Sequence, residues 1–168
     1  MSKFAWKERA REAEEARLAL HTGPATRGKS EHFFKAIEAA YPADFDRDYN
    51  LLKKGDARGA EMAIAFLEAD PWFFRSGYMK QRLAHFLKRV RLSKTQVDRL
   101  ETVLLKIVDE RNTHEFRNYC RLARAIATPK LWAQLTERLT DSDPRRRLRA
   151  AWMLAVIEQG GAVRKPGR

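Results

Sequence analysis

Gly23 to Ser30 reads GPATRGKS, and its Gly-x4-Gly-Lys-Ser spacing is that of a loop built to hold phosphates. In such a loop the backbone N–H groups surround the anion, the lysine (Lys29) reaches its outer oxygens, and the hydroxyl (Ser30) ligates magnesium. Val103 to Glu110, VLLKIVDE, would then supply Asp109 as a second metal carboxylate. That chemistry needs a buried strand directly before the first glycine and further strands to make a parallel sheet. Here Glu14 to Leu20 continues an Ala/Glu-rich helical pattern, and the apolar residues of 103–110 recur at spacings of three and four. A P-loop-type nucleotide-binding protein is therefore kept as an alternative. A lesser version has Gly28, Lys29 and Ser30 holding a lone phosphate at a helix N-terminus.

Other chemistry is weakly represented. Asp44, Asp46 and Asp48 have the spacing of a calcium loop, but Tyr49 stands where the turn glycine belongs and Gly55 where the bidentate glutamate belongs. His21, His32, His85 and His114 are scattered, and with one cysteine there is no metal-ligand spacing. Cys120 sits on an apolar helical face between arginines, which reads as packing rather than a nucleophile. No catalytic residue, metal or cofactor is assigned.

Charge says more. The 168 residues hold 34 Lys and Arg against 22 Asp and Glu, a net +12. Residues 1–70 carry 12 and 13 of these, residues 71–168 carry 22 and 9, so the whole excess lies in the second part. Such asymmetry is expected of a face that meets polyanions. Arg117, Arg121 and Arg124 fall at i, i+4 and i+7, on one side of a helix. Arg145, Arg146 and Arg149 crowd the start of another, and Lys80, Lys88 and Arg89, with His85, lie on a third. Arginine suits phosphate as a bidentate clamp. Against this, acidic turn residues are apt partners for some of these arginines: Asp141 and Asp143 for Arg147 or Arg149, and Asp109 or Glu110 for Arg117. Asp70 to Tyr78, DPWFFRSGY, adds an aromatic and arginine cluster whose outer members would be Trp72, Arg75 and Tyr78, placed to stack a base or anchor a partner.

The elements that must position these residues are helices, and the expected class is all-α. Ser2 is read as the cap of a helix to about Leu20, and His21 to Lys29 as a loop. Ser30 is read as the cap of a helix ended by Pro42, and Phe45, Tyr49 and Leu52 recur at helical spacing before Gly55. Asp56 opens a helix to about Ala69, and Asp70-Pro71 starts another. Ser93 with Gln96 forms a capping box, and Thr113, Thr128-Pro129 and Asp143-Pro144 open the last three helices. Gly160-Gly161 ends the series before a basic, flexible tail over 160–168.

Repetition supports a stack of helix pairs. Arg82-Leu83-Ala84 with Leu87 recurs as Arg121-Leu122-Ala123 with Ile126. Phe116, Arg117, Tyr119, Cys120, Leu122 and Ala123 match Leu148, Arg149, Ala151, Trp152, Leu154 and Ala155 at a spacing of 32. Leu131 to Ile157, LWAQLTERLTDSDPRRRLRAAWMLAVI, resembles a HEAT repeat in its leucine-spaced first helix, Asp-x-Asp-Pro turn and Arg-x-Arg-Ala-Ala second helix. The resemblance is clearest at 129–158, weaker at 94–127 and weaker again at 56–90. It implies a short HEAT-like α-solenoid of about three helix pairs (56–159) under an N-terminal helical cap (1–55), together one compact domain. It also implies a concave face lined by the second helix of each pair, where the arginine rows would lie.

The resulting expectation is a non-enzymatic adaptor with a basic face for nucleic acid or an acidic protein. A HEAT-like DNA glycosylase is a further alternative, resting on Asp70 beside Trp72, although Asp70 is also a helix cap. Ala150 to Ile157 is apolar on all sides, so the N-terminal helices or a second copy, in a homodimer, should cover it. That eight-residue run is too short to span a membrane and no secretory signal is visible, so a soluble cytoplasmic protein is expected.

Overall fold

Short polar side chains start four of the helices, at Thr26, Ser93, Thr128 and Asp143, the last three at expected turns. A computed structural model of the chain describes residues 4–24, 26–110 and 113–159. Among these, nine α-helices and two single 3₁₀ turns form, with no strand: the chain is all-α. The expected cap at Ser2 and the tail at 160–168 lie outside the described residues. No helix among the described residues is long and apolar enough to cross a membrane. The described chain divides after Lys80 into two compact units.

The first unit holds α1 (Trp6–His21), α2 (Arg27–Ala39), α3 (Phe45–Lys53) and α4 (Ala60–Ala69), and α5 (Ser76–Leu87) begins at its end. α1 packs against α2 and α4, and α3 against α4 and the 3₁₀ turn Ala57–Gly59. Their shared core is aromatic. The Trp6 ring meets Phe66 edge-on at 5.0 Å, and Tyr41 lies 4.4 Å from Phe45 and 5.4 Å from Phe73. α2 begins earlier than expected because Thr26, not Ser30, caps it, accepting from the Lys29 N–H. Asp70 does not open a helix. It ends α4 in a left-handed conformation (φ 49°), its N–H donating to the Phe66 carbonyl, and an irregular stretch separates it from α5.

The second unit is built by α6 (Lys94–Glu110), α7 (Phe116–Ile126), α8 (Pro129–Glu137) and α9 (Pro144–Glu158), with the rest of α5. The capping box at α6 forms reciprocally: the Ser93 N–H donates to Gln96 Oε1 at 3.0 Å and the Gln96 N–H to Ser93 Oγ at 3.2 Å. Thr128 caps α8 and Asp143 caps α9, each followed by proline in the first turn. Thr113 does not cap α7, whose first turn is instead preceded by the buried Glu115 with no side-chain cap.

α6 packs on α7, α8 and α9; α7 and α8 each pack on α9. Two side-chain links fix the direction of α6 against the α8 segment. Thr128, before α8, donates to Glu101, and Arg138, after it, grips Asp109 at 2.7 and 2.8 Å, so the two helices run the same way. Gln81 and Asn118 likewise tie α5 to α7, the Asn118 amide donating to the Gln81 carbonyl at 3.2 Å. α9 is not apolar on all sides in effect: Ala150, Met153, Leu154 and Ile157 enter the core, and Leu148, Ala151, Trp152 and Ala155 form an outward row.

Candidate functional site

The arginines of the sequence separate into those that hold the helices together and those that do not. Arg149, expected on the binding face, is only 6% exposed. Its guanidinium donates to the carbonyls of Val108 and Asp109, the last turn of α6, and lies 3.9 Å from Asp143. Those carbonyls lie in the last turn of α6, where a cation complements the negative end of the helix dipole. Arg146 lies between Asp141 at 2.7 Å and Asp109 at 3.4 Å, and Asp109 also accepts from Nε and Nη2 of Arg138. Backbone donation from Asp143, then the Arg146 side chain, holds the Asp141 carboxyl below the usual aspartate range. Arg147 donates to the carbonyls of Asp141 and Ser142. Asp109 is thus a structural hub for Arg138 and Arg146, and no partner of Arg117.

Lys80 is also removed from any binding face. It is 0% exposed, with its ammonium 2.6 Å from the Asp70 carboxylate and 5.8 Å from the centre of the Trp72 ring. Asp70 is accordingly a structural anion.

What remains is a compact group of cations. Arg117, Arg121 and Arg124 project from α7 into solvent, opposite its buried Phe116, Tyr119, Cys120, Leu122 and Ala123. On the second-unit part of α5, Arg82 and His85 are exposed, and in the turn that follows it Lys88 is half-buried and Arg89 exposed. The two rows approach at His85. Partial desolvation, followed by the charges of Lys88, Arg89 and Arg121, holds its imidazole below the ordinary range. None of Arg82, Lys88, Arg89, Arg117, Arg121 and Arg124 is ion-paired to a carboxylate among the described residues. Arg145 is exposed too, at the start of α9. Arg82 is a member of the group that the sequence did not single out for binding; its place three residues before His85 and seven before Arg89 is the available signal.

The phosphate-loop residues are arranged otherwise than that motif requires. The helix α1, not a strand, precedes Gly23, and 103–110 lies within α6. Gly28 is exposed, and Ser30 Oγ turns back to the Thr26 carbonyl. The Lys29 ammonium closes the loop on itself, donating to the carbonyls of Thr22 and Pro24.

In the first unit, Trp72 (61% exposed), Arg75 and Tyr78 face solvent, as do Phe34 and Phe74. Arg75 has φ 63° and stacks over Phe74 at 5.2 Å. Phe73 alone of the three consecutive aromatics is buried. Elsewhere, burial pushes the Cys120 thiol up to about 12, which leaves it inert as a nucleophile. Asp44 and Asp48 engage Arg47, and no cluster of metal-ligating side chains forms among the described residues.

The chain matches no protein-family model, and neither a curated protein nor a solved structure is significantly similar to it.

Proposed function

We propose that this is a non-enzymatic, HEAT-like helical-repeat binding protein whose basic face takes the phosphate backbone of nucleic acid. The observation that carries this reading is the convergence of Arg121 from α7 with Lys88 and Arg89, in the turn that follows α5, around His85, with no carboxylate paired to any of these cations among the described residues. Like charges held close repel one another, and an unneutralised group of this kind is relieved by a polyanion. Arg82, Arg117 and Arg124 extend the group along the two helices. The repeat reading draws support from the co-directional α6 and α8 segments and from the pairing of α6 with α7 and α8 with α9.

Fluorescence anisotropy with a labelled duplex across a salt series tests it. Binding should weaken linearly on a log–log scale, and reversing Arg117, Arg121 and Arg124 to Glu should lower affinity at least tenfold. The salt slope should become shallower by about 0.9 for each duplex phosphate that the variant no longer neutralises. Salt-independent binding, or equal affinity after the reversals, overturns the reading. Binding to an acidic peptide without binding to nucleic acid would transfer the same face to a protein partner and overturn the nucleic-acid reading.

A further inference from the structure

We infer that the outer row of α9 is a self-complementary surface on which a second copy of this chain docks, antiparallel, α9 against α9. The repeat match supplies the first argument. Phe116, Tyr119, Cys120 and Ala123 of α7 are buried, and α9 packs on this helix, with Trp152 6.3 Å from Phe116. Their counterparts 32 residues on, Leu148, Ala151, Trp152 and Ala155, are exposed, Leu148 by 48% and Trp152 by 44%. The same pattern that α7 places under a neighbouring helix is presented by α9 to solvent. Leu148, Trp152 and Ala155 recur at i, i+4 and i+7, a single seam, and the two alanines leave room for an approach of about 8–10 Å between axes.

Charge selects the occupant. A two-fold axis between Ala151 and Trp152 sets Leu148 level with Ala155 of the other copy, and Ala151 level with Trp152. The same register sets Arg145, at the start of α9, level with Glu158, at its end. Both are exposed, and neither side chain is ion-paired among the described residues. At that axial separation an arginine side chain can cross the seam to the glutamate. A two-fold interface forms both such pairs at once. Each charge sits at the end of its own helix that disfavours it, and docking brings it beside the opposite helix end, which favours it. Arg145 therefore belongs to this surface, separate from the group around His85.

Sedimentation equilibrium of the full chain, from about 1 to 200 μM, tests the assignment. A reversible monomer–dimer equilibrium is expected. Trp152→Glu, and independently Ala151→Arg at a position whose side chain faces solvent, should each weaken it at least tenfold, with helical circular dichroism unchanged. Arg145→Glu and Glu158→Arg should each weaken it about three- to tenfold, and the double variant should recover most of the loss. A chain that stays monomeric throughout overturns the proposal, as does a dimer indifferent to Ala151→Arg. Charge-reversed single variants that are not rescued by the double overturn the antiparallel register. Nucleic-acid affinity of Ala151→Arg measured alongside is a separate readout, so loss of one surface is distinguishable from loss of the other.

Discussion

The Lys80 ammonium lies 2.6 Å from the Asp70 carboxylate, with the lysine wholly buried and the aspartate nearly so. Two features of the chain create this pair. Asp70 is turned inward because it ends α4 in a left-handed conformation that aspartate tolerates better than most residues. Lys80 enters from the first turns of α5, and the Trp72 ring 5.8 Å away adds a face for the cation. Taking one partner from a buried pair strands the other charge, which costs about 3–5 kcal/mol, whereas removing both is far milder. Lys80→Met should therefore lower stability by about that amount in urea unfolding. Asp70→Asn with Lys80→Met should recover more than half of it. An Lys80→Met protein as stable as the wild type would show that the pair does not contribute.

Gly59 stands where the chain passes from the 3₁₀ turn into α4. A Cβ built there would lie 2.1 Å from the Asp48 carbonyl oxygen and 2.8 Å from the Leu52 backbone nitrogen, both in α3. The obstructing atoms are backbone, so no rotamer change relieves the clash. Gly59→Ala should cost at least about 2–3 kcal/mol, at or beyond the usual range for overpacking. Gly28→Ala, with open space around its Cβ position, should be stabilising or neutral inside α2. Thermal melts of the two variants, which change the same atoms, should differ by several degrees, with Gly59→Ala melting lower than the wild type and Gly28→Ala not.

The helical class was legible in the sequence because caps and periodicity are local. Ser93 with Gln96, Thr128-Pro129 and Asp143-Pro144 all act where the sequence places them. At position 70 the local rule fails, because Asp-Pro opens helices by its own chemistry and only the distant Lys80 makes it a buried helix end. The arginines divide for the same reason. Arg117 and Arg149 occupy matching places in the repeat, yet one faces solvent and the other caps α6 from forty residues away. Which carboxylate or carbonyl an arginine meets depends on tertiary packing, and spacing along one helix carries no record of it. The GPATRGKS motif illustrates the converse: its lysine donates to carbonyls of its own loop, and the preceding helix removes the sheet that the chemistry needs.

Arg149 and Arg121 provide a direct test of that division. Arg149→Met leaves the terminal carbonyls of α6 without their charged donor, and hydrogen bonds of this kind are worth about 1.5–3 kcal/mol. Its melting temperature should fall by roughly 5–10 °C, at about 2–4 °C per kcal/mol for a chain of this size. Its affinity for a labelled duplex, measured below the melting range, should stay within a factor of two of wild type. Arg121→Met should do the reverse, melting with the wild type and binding several-fold more weakly. Equal effects of the two substitutions on binding would contradict the separation of structural from surface arginines.

His85 gives the basic face a pH dependence whose sign follows from its neighbours. In the free protein, desolvation and the charges of Lys88, Arg89 and Arg121 hold its imidazole below the ordinary value of about 6.5. The unfolded chain therefore takes up this proton first as pH falls, so His85 subtracts stability below that ordinary value rather than adding it. A bound polyanion reverses the local field and raises the imidazole, so binding draws in a proton. Affinity for a duplex should then strengthen as pH falls from about 7.5 to 5.5, by up to about tenfold per unit at its steepest for one proton. The rise should level off once His85 is protonated in the free protein as well. His85→Gln should flatten this part of the profile and leave weaker binding carried by Arg121 and its neighbours. Anisotropy titrations at constant ionic strength make the comparison; a wild-type profile that is flat, or one retained in His85→Gln, would place the bound phosphates away from His85.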